Sequence, residues 1–303
     1  MDKFCCPLNV PKFPDAVYNL ITFCPPSRGN SQLLTRNFLT RKLNCLPLED
    51  KMSSKAFIVT GASRGLGLAI AHLLLRASHK VFLVARSEAG LQKIKAENPS
   101  NVEYLPADVT DFSTAPKIVE AAVKAFGKVD GIIINHGVLT PLSKIADVDI
   151  EEWRHSYDVN VTSAVALVKA AIPELRKSQG RIIFVSSGAS VGAYTAWGAY
   201  GTAKAAMNHI CAHLAVEEPD ITSVAISPGK VDTDMQGVIR ELGGKSMTEK
   251  DHASFIEEFA SGKLLKPEQP GSVIANLVVG ATKELSGKHL RWNAKELSSF
   301  QGK

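Results

Sequence analysis

The chain has 303 residues, 45% hydrophobic, 21% charged and 7% aromatic, enough apolar material for a large buried core. Its formal charge is +5, but 35 basic residues are scattered among 30 acidic ones with no basic run, so a phosphorylated small molecule is a better anionic partner than nucleic acid. No apolar run approaches the ~20 residues of a membrane span, and the five cysteines form no CxxC pair, so a reducing, cytoplasmic setting without a metal is expected.

Residues 1–52 carry Pro7, Pro11, Pro14, Pro25, Pro26 and Pro47, and no helical or strand period lasts there. They read as a poorly ordered extension, or as the product of an upstream start codon with Met52 as the true start. Arg28, Arg36, Arg41 and Lys42 would suit an organelle presequence, but Asp2, Asp15, Glu49, Asp50 and the prolines oppose an amphipathic basic helix. From residue 53 onward, short apolar runs alternate with longer helical patterns. The runs are AFIVT at 56–60, VFLVA at 81–85, VEYLPA at 102–107, GIIIN at 131–135, RIIFVS at 181–186 and SVAIS at 223–227. Most are apolar throughout, as strands covered on both faces must be, and the spacers are long enough for crossover helices. The expected fold for 53–303 is therefore one α/β domain, a doubly wound parallel sheet of Rossmann-like form.

Directly after the first run comes TGASRGLG, with Gly61, Gly65 and Gly67 in a GxxxGxG spacing. Glycines allow a tight turn and bring backbone N–H groups close to a pyrophosphate, held at the positive end of a helix starting near Gly65. A site selecting an unphosphorylated ribose puts an acid at the end of the second strand. Here that strand ends LVARSE, so Arg86 takes this place while Arg64 lies in the glycine loop, and two guanidiniums favour a 2′-phosphate and hence NADPH. Further along, Tyr200 and Lys204 in AYGTAK are four residues apart, one turn on one face of a helix.

In this order the motifs resemble those of the short-chain dehydrogenase/reductase family, from about Lys55 to the C-terminus. TGASRGLG is similar to the family's cofactor loop, which implies contacts from Gly61, Ser63, Arg64, Gly65, Leu66 and Gly67. Asp108, with Val109 beside it, resembles the acid that contacts adenine, and Asn135 to Gly137 (NHG) stands where the family usually has NAG. Pro228, Gly229, Val231 and Thr233 in PGKVDT resemble the loop that holds the nicotinamide carboxamide. Asn160, Ser187, Tyr200 and Lys204 match the catalytic tetrad; Ser186 would face the packed side and Ser190 would lie in a loop. The resemblance implies a phenol, Tyr200, that protonates a carbonyl oxygen while reduced nicotinamide delivers hydride, with Tyr200 and Lys204 also touching the cofactor. Lys204 and the positive oxidised ring are expected to lower the phenol's pKa, a drop of ~3 being worth ~4 kcal/mol. Ser187 would bond the same oxygen, and Asn160, in a helix, would hold a water linking Lys204 to solvent. The family also implies homodimers or homotetramers formed through the helices holding Asn160 and Tyr200.

His136 replaces the family's usual alanine and reads as a packing substitution, and His209 and His213 at i, i+4 lack a third ligand for a metal. Tyr194 and Trp197, just before Tyr200, suit a flat aromatic carbonyl substrate or, equally, a subunit interface. VSSGASV, AYGTAKAAMNH and GKHLRWN resemble fungal members that reduce one carbonyl of the α-diketone benzil with NADPH. TDMQ is shared with sepiapterin reductase, whose pterin-gripping aspartate would align with Arg291, and a guanidinium cannot accept the pterin's N–H donors. An NADP-binding scaffold without turnover is the reading from another class. Between Asp234 and Pro267 two helices broken at Gly243 and Gly244 are expected, either a lid or an ordinary helix end.

Overall fold

The computed structural model describes residues 54–302. The expected extension at 1–52 lies outside the described residues. Seven parallel strands form one sheet: β1 (Ala56–Thr60), β2 (Lys80–Ala85), β3 (Val102–Pro106), β4 (Gly131–Ile134), β5 (Arg181–Val185), β6 (Thr222–Ser227) and β7 (His289–Arg291). Their spatial order is β3-β2-β1-β4-β5-β6-β7. Six of the seven stand within one residue of the apolar runs. β7 has no counterpart among those runs, because three residues with a single aliphatic side chain, Leu290, carry no strand period of their own.

Alternation along the strands feeds two cores. Phe57, Val59, Leu83, Ile133 and Ile183 point to the face covered by α1 (Gly65–Arg76), α2 (Glu88–Glu97) and, from the C-terminal part, Val273, Ile274 and Leu277. Ile58, Phe82, Val84, Ile132 and Phe184 point to the other, covered by α3 (Thr114–Phe126) and two long helices that follow α4 (Ile150–Tyr157). These are α5 (Ser163–Ser178) and α6 (Gly198–Glu217). Burial on both faces is why these strands are apolar at nearly every position. The strand order reverses between β2 and β4 on either side of β1, and such a switch point opens a crevice at the carboxyl ends of the strands.

After β6 the chain forms α7 (Asp234–Leu242), a 3₁₀ turn at Gly243–Lys245, α8 (Glu249–Ala260) and α9 (Glu268–Gly280), the last packing on α1. The glycine pair has a physical reason that differs from a hinge or a left-handed cap. Gly243 has φ −61°, while a Cβ there would lie 2.8 Å from both the His252 ring and Met247 Sδ. The pair is small because His252 fills the space, anchored by its Nε2 against Arg240 O at 3.0 Å.

Candidate active site

A cleft of about 1260 Å³ opens at the carboxyl ends of the strands. Its floor on the β1 side is the glycine loop, where Gly61 (φ +64°) and Gly65 (φ +54°) occupy the left-handed region that only glycine adopts cheaply. A Cβ on Gly67 would stand 2.3 Å from Gly61 O, so Gly67 serves packing of helix against loop, and it does not line the cleft. Arg64 caps α1 without a side-chain hydrogen bond, and the first turn holds no acid. The leading N–H groups of α1 are therefore left for an anion, and the loop fits a pyrophosphate.

Ser63, Arg64, Gly65, Leu66, Arg86, Asp108 and Val109 line this half. Thr110 holds the Asp108 carboxylate below its usual range with its N–H (2.9 Å) and hydroxyl (2.8 Å), Arg86 adding to the effect. Arg64 differs from expectation, because its Nη1 pairs with Asp234 Oδ2 at 2.9 Å across the cleft mouth. Of the two guanidiniums, Arg86 is the one without a salt-bridge partner among the described residues.

Asn135, Gly137, Pro228, Gly229, Val231 and Thr233 line the middle of the cleft. Asn135 also stitches β4 to the glycine loop, its Nδ2 donating to Thr60 O (3.1 Å) and Gly61 O (3.3 Å). His136 bridges Thr60 on β1 to Ser163 on α5, in accord with a packing substitution. Nε2 stands 2.8 Å from Ser163 Oγ, which donates to Val159 O, and Nδ1 stands 2.7 Å from Thr60 Oγ1, which also lies 3.1 Å from Ile133 O. Burial pushes His136 down to about 4, and Lys204 adds to the shift.

Tyr200 and Lys204 share the buried face of α6 as their spacing requires, 6% and 3% exposed, and both line the cleft with Ser187. Ser187 Oγ accepts from Ala189 N–H at 3.1 Å, and its hydroxyl stands near enough to the Tyr200 phenol to lower that group's pKa. Lys204 Nζ donates to Val185 O at 2.9 Å and stands 5.7 Å from the phenol ring centroid. The expected lowering of the phenol's pKa is not what the chain's own groups produce. Burial pushes Tyr200 up to about 12, Ser187 opposing it, and burial pushes Lys204 down to about 8. Desolvation penalises both charged forms, and at this distance it outweighs the attraction of phenolate to ammonium.

Asn160 lies in a helix, as expected, but of a particular form. It sits in a π-helical segment, Asp158–Thr162, between α4 and α5, a form that recurs at functional sites. It is 1% exposed and lies behind the cleft wall: Nδ2 donates to Val138 O and Ser156 O (2.9 Å each), and Oδ1 accepts from Val138 N–H (3.0 Å). Gly137 explains the arrangement, since a Cβ there would stand 2.6 Å from Asn160 Oδ1 and 3.5 Å from Lys204 Nζ.

Four contributors, Asn208, Asp234, Gln236 and Phe255, lie outside the sequence-derived set. Asn208, one turn beyond Lys204 on α6, accepts from Ser186 Oγ (2.6 Å) and donates to Ser190 Oγ (2.8 Å), which in turn donates to Ser187 O (2.6 Å). The i, i+4 spacing from Lys204 is its only signal. Asp234 and Gln236 on α7 also line the cleft. Trp197 and Tyr194 form an aromatic wall with Phe255 of α8: Trp197 stacks on Phe255 at 5.4 Å and meets Tyr200 edge-on at 5.8 Å. The family model described as short chain dehydrogenase matches residues 55–242.

The chain belongs to the short-chain dehydrogenase family.

This dehydrogenase is 41% identical to a benzil reductase ((S)-benzoin forming) of Saccharomyces cerevisiae, over 82% of this chain and 99% of the yeast protein. It is 42% identical to an oxidoreductase of Schizosaccharomyces pombe, over 80% and 98% of the two chains. The crystal structure of another S. cerevisiae short chain dehydrogenase/reductase superposes with a TM-score of 0.81 at 39% identity, covering 82% of this chain and all of that one. The dehydrogenase is thus an oxidoreductase of a family that uses a nicotinamide cofactor, and the anion-ready loop and the size of its cleft fit such a dinucleotide. Among the described residues, no helix is long and apolar enough to cross a membrane.

Proposed function

We propose that this dehydrogenase is an NADPH-dependent carbonyl reductase acting on an aromatic or α-dicarbonyl ketone of the benzil type. One observation carries the reading: Tyr200 and Lys204, on one buried face of α6, line the cleft together with Ser187. The nicotinamide, when bound, supplies the hydride. Tyr200 gives its proton to the substrate oxygen, and Ser187, whose Oγ accepts from Ala189 N–H, keeps its own hydrogen for the same oxygen. Lys204 restores the proton, and Asn160 holds the Val138 backbone so that Gly137 leaves the lysine room.

Arg86, with Arg64 released from Asp234, supports a 2′-phosphate and therefore NADPH. The aromatic wall and the name of the yeast relative support benzil-like substrates. Arg291 in the cleft speaks against a pterin, for it offers no acceptor. A cytoplasmic homodimer or homotetramer packed through α5 and α6, with residues 1–52 outside the catalytic domain, completes the proposal.

The test is NADPH oxidation followed by absorbance with benzil. Tyr200→Phe is expected to lose about 10²–10⁴-fold in rate, and equal rates would overturn the assignment. Reduction needs a charged Lys204 behind a neutral phenol, so kcat/KM is expected to be flat below neutrality and to fall about tenfold per pH unit above about 8.

A further inference from the structure

Ser187 stands at the carboxyl end of β5, directly after Ser186, whose N–H bonds Ile226 O of β6 at 2.8 Å. Beyond that bond its place depends on the 3₁₀ turn Gly188–Ser190. Ala189 N–H donates to Ser187 Oγ at 3.1 Å, and Ser187 O accepts from both the N–H (3.1 Å) and the hydroxyl (2.6 Å) of Ser190. A turn this short has poor hydrogen-bond geometry of its own, so it needs a brace. Helix α6 provides one. A Cβ on Gly201 would stand 2.9 Å from Ala189 O, so the helix backbone lies directly on the turn, next to Tyr200. Asn208 grips both sides of Ser187: its Oδ1 accepts from Ser186 Oγ at 2.6 Å, and its Nδ2 donates to Ser190 Oγ at 2.8 Å. Because the Ser190 oxygen accepts from the amide, its hydrogen is left for Ser187 O. One turn earlier on α6, Lys204 Nζ holds Val185 O at 2.9 Å. The stripe that carries Tyr200 and Lys204 thus continues to Asn208, and it ties the proton donor to the strand end that carries the serine.

We propose that Asn208 is a positioning residue for Ser187: it fixes the turn whose Ala189 N–H aims the Ser187 hydroxyl, and so keeps that hydroxyl in register with Tyr200 at the substrate oxygen. This rests on the carbonyl-reductase reading and adds to it a residue that does not line the cleft. The serine acts on charge that develops only as the carbonyl is reduced, so a misaimed hydroxyl lowers kcat and leaves KM in place. A misplacement of about 1 Å can cost about a hundredfold.

Asn208→Leu removes both bonds at nearly constant volume. Its kcat with benzil is expected to fall about tenfold to a hundredfold, with KM for benzil and Kd for NADPH within about twofold of the unaltered protein. In a Ser187→Ala background the same substitution is expected to change kcat by less than about twofold, because the group it positions is gone. Asn208→Asp keeps the shape and the acceptor for Ser186 but has no donor for Ser190, and is expected to lose as much as the leucine variant. Ser190→Ala removes only the last link, is expected to show the same pattern, and guards against a misfolded Asn208 variant. Independently of activity, the Ala189 amide is expected to exchange its hydrogen about tenfold faster or more in Asn208→Leu and Ser190→Ala, read by NMR. Unchanged kcat, unchanged exchange at Ala189, or a loss of equal size with and without Ser187 overturns the proposal. Faster exchange in a protein that reduces no ketone would overturn the reductase reading and leave the hold of Asn208 on Ser187 standing.

Discussion

The two walls of the cleft are built by different means. On the sheet side, the positions that matter are backbone positions: Gly61 and Gly65 at positive φ, Gly67 against Gly61 O, Gly137 against Asn160. On the side of α7 and α8, they are side-chain contacts between segments far apart in the chain, as where Trp197 stacks on Phe255 and donates Nε1–H to Met247 Sδ at 3.4 Å. Arg64 and Asp234 join the walls at the mouth. A wall made of backbone tolerates no added atom, whereas a wall made of side chains can change volume and with it the substrate. The contrast explains how one cofactor half can serve many substrates in a single fold.

That contrast is broken most forcefully at Gly67. Gly67→Ala must displace the loop, and it is expected to abolish NADPH binding by calorimetry and to lower stability by about 3 kcal/mol or more, about 6–12 °C in Tm. Retained cofactor affinity would show that the wall yields. Phe255→Ala should act on the other side alone. KM for benzil is expected to rise about tenfold as the stack on Trp197 is lost, with the Kd for NADPH unchanged within about twofold.

His136, held between Thr60 and Ser163 on the sheet side, offers a pH test. Its ring titrates near 4 when folded and near 6.5 when unfolded, so between those values the unfolded chain holds the extra proton. Stability from the neutral ring is whole above pH 6.5 and is lost as pH falls toward 4. In His136→Ala, urea unfolding is expected to show a pH 7 to pH 4 loss smaller by on the order of 2–3 kcal/mol. The smallest effect belongs to the exposed Arg64–Asp234 pair. Asp234→Ala should change unfolding free energy by less than ~1 kcal/mol, and raising the salt concentration should shrink even that.

Much of the sheet side is legible in the sequence because its signals are local. An apolar run of five residues followed by a glycine turn reads as strand and phosphate loop before any contact is known, and the Tyr200–Lys204 spacing carries its own geometry. What escapes such a reading is set by neighbours distant in the chain. Asn160 looks helical, but the π segment depends on α4 and α5 both packing in place, and its amide serves Val138 twenty-two residues away. Asn208 and Gln236 look like ordinary helix polars. The electrostatic expectation fails for the same reason, since the depth at which Tyr200 and Lys204 are buried cannot be read from four letters of spacing.

The amino-acid order alone therefore determined the alternation of strands and helices, the glycine turn and the set of reactive side chains. Each depends on backbone preference or on residues within a turn of one another. Tertiary structure decided how far each charge is removed from water, which polar atoms go unmatched, and which aromatic rings meet across the cleft. Burial and contact between distant segments are properties of the packed whole, and desolvation, the largest influence on Tyr200 and Lys204, exists only once that packing is complete.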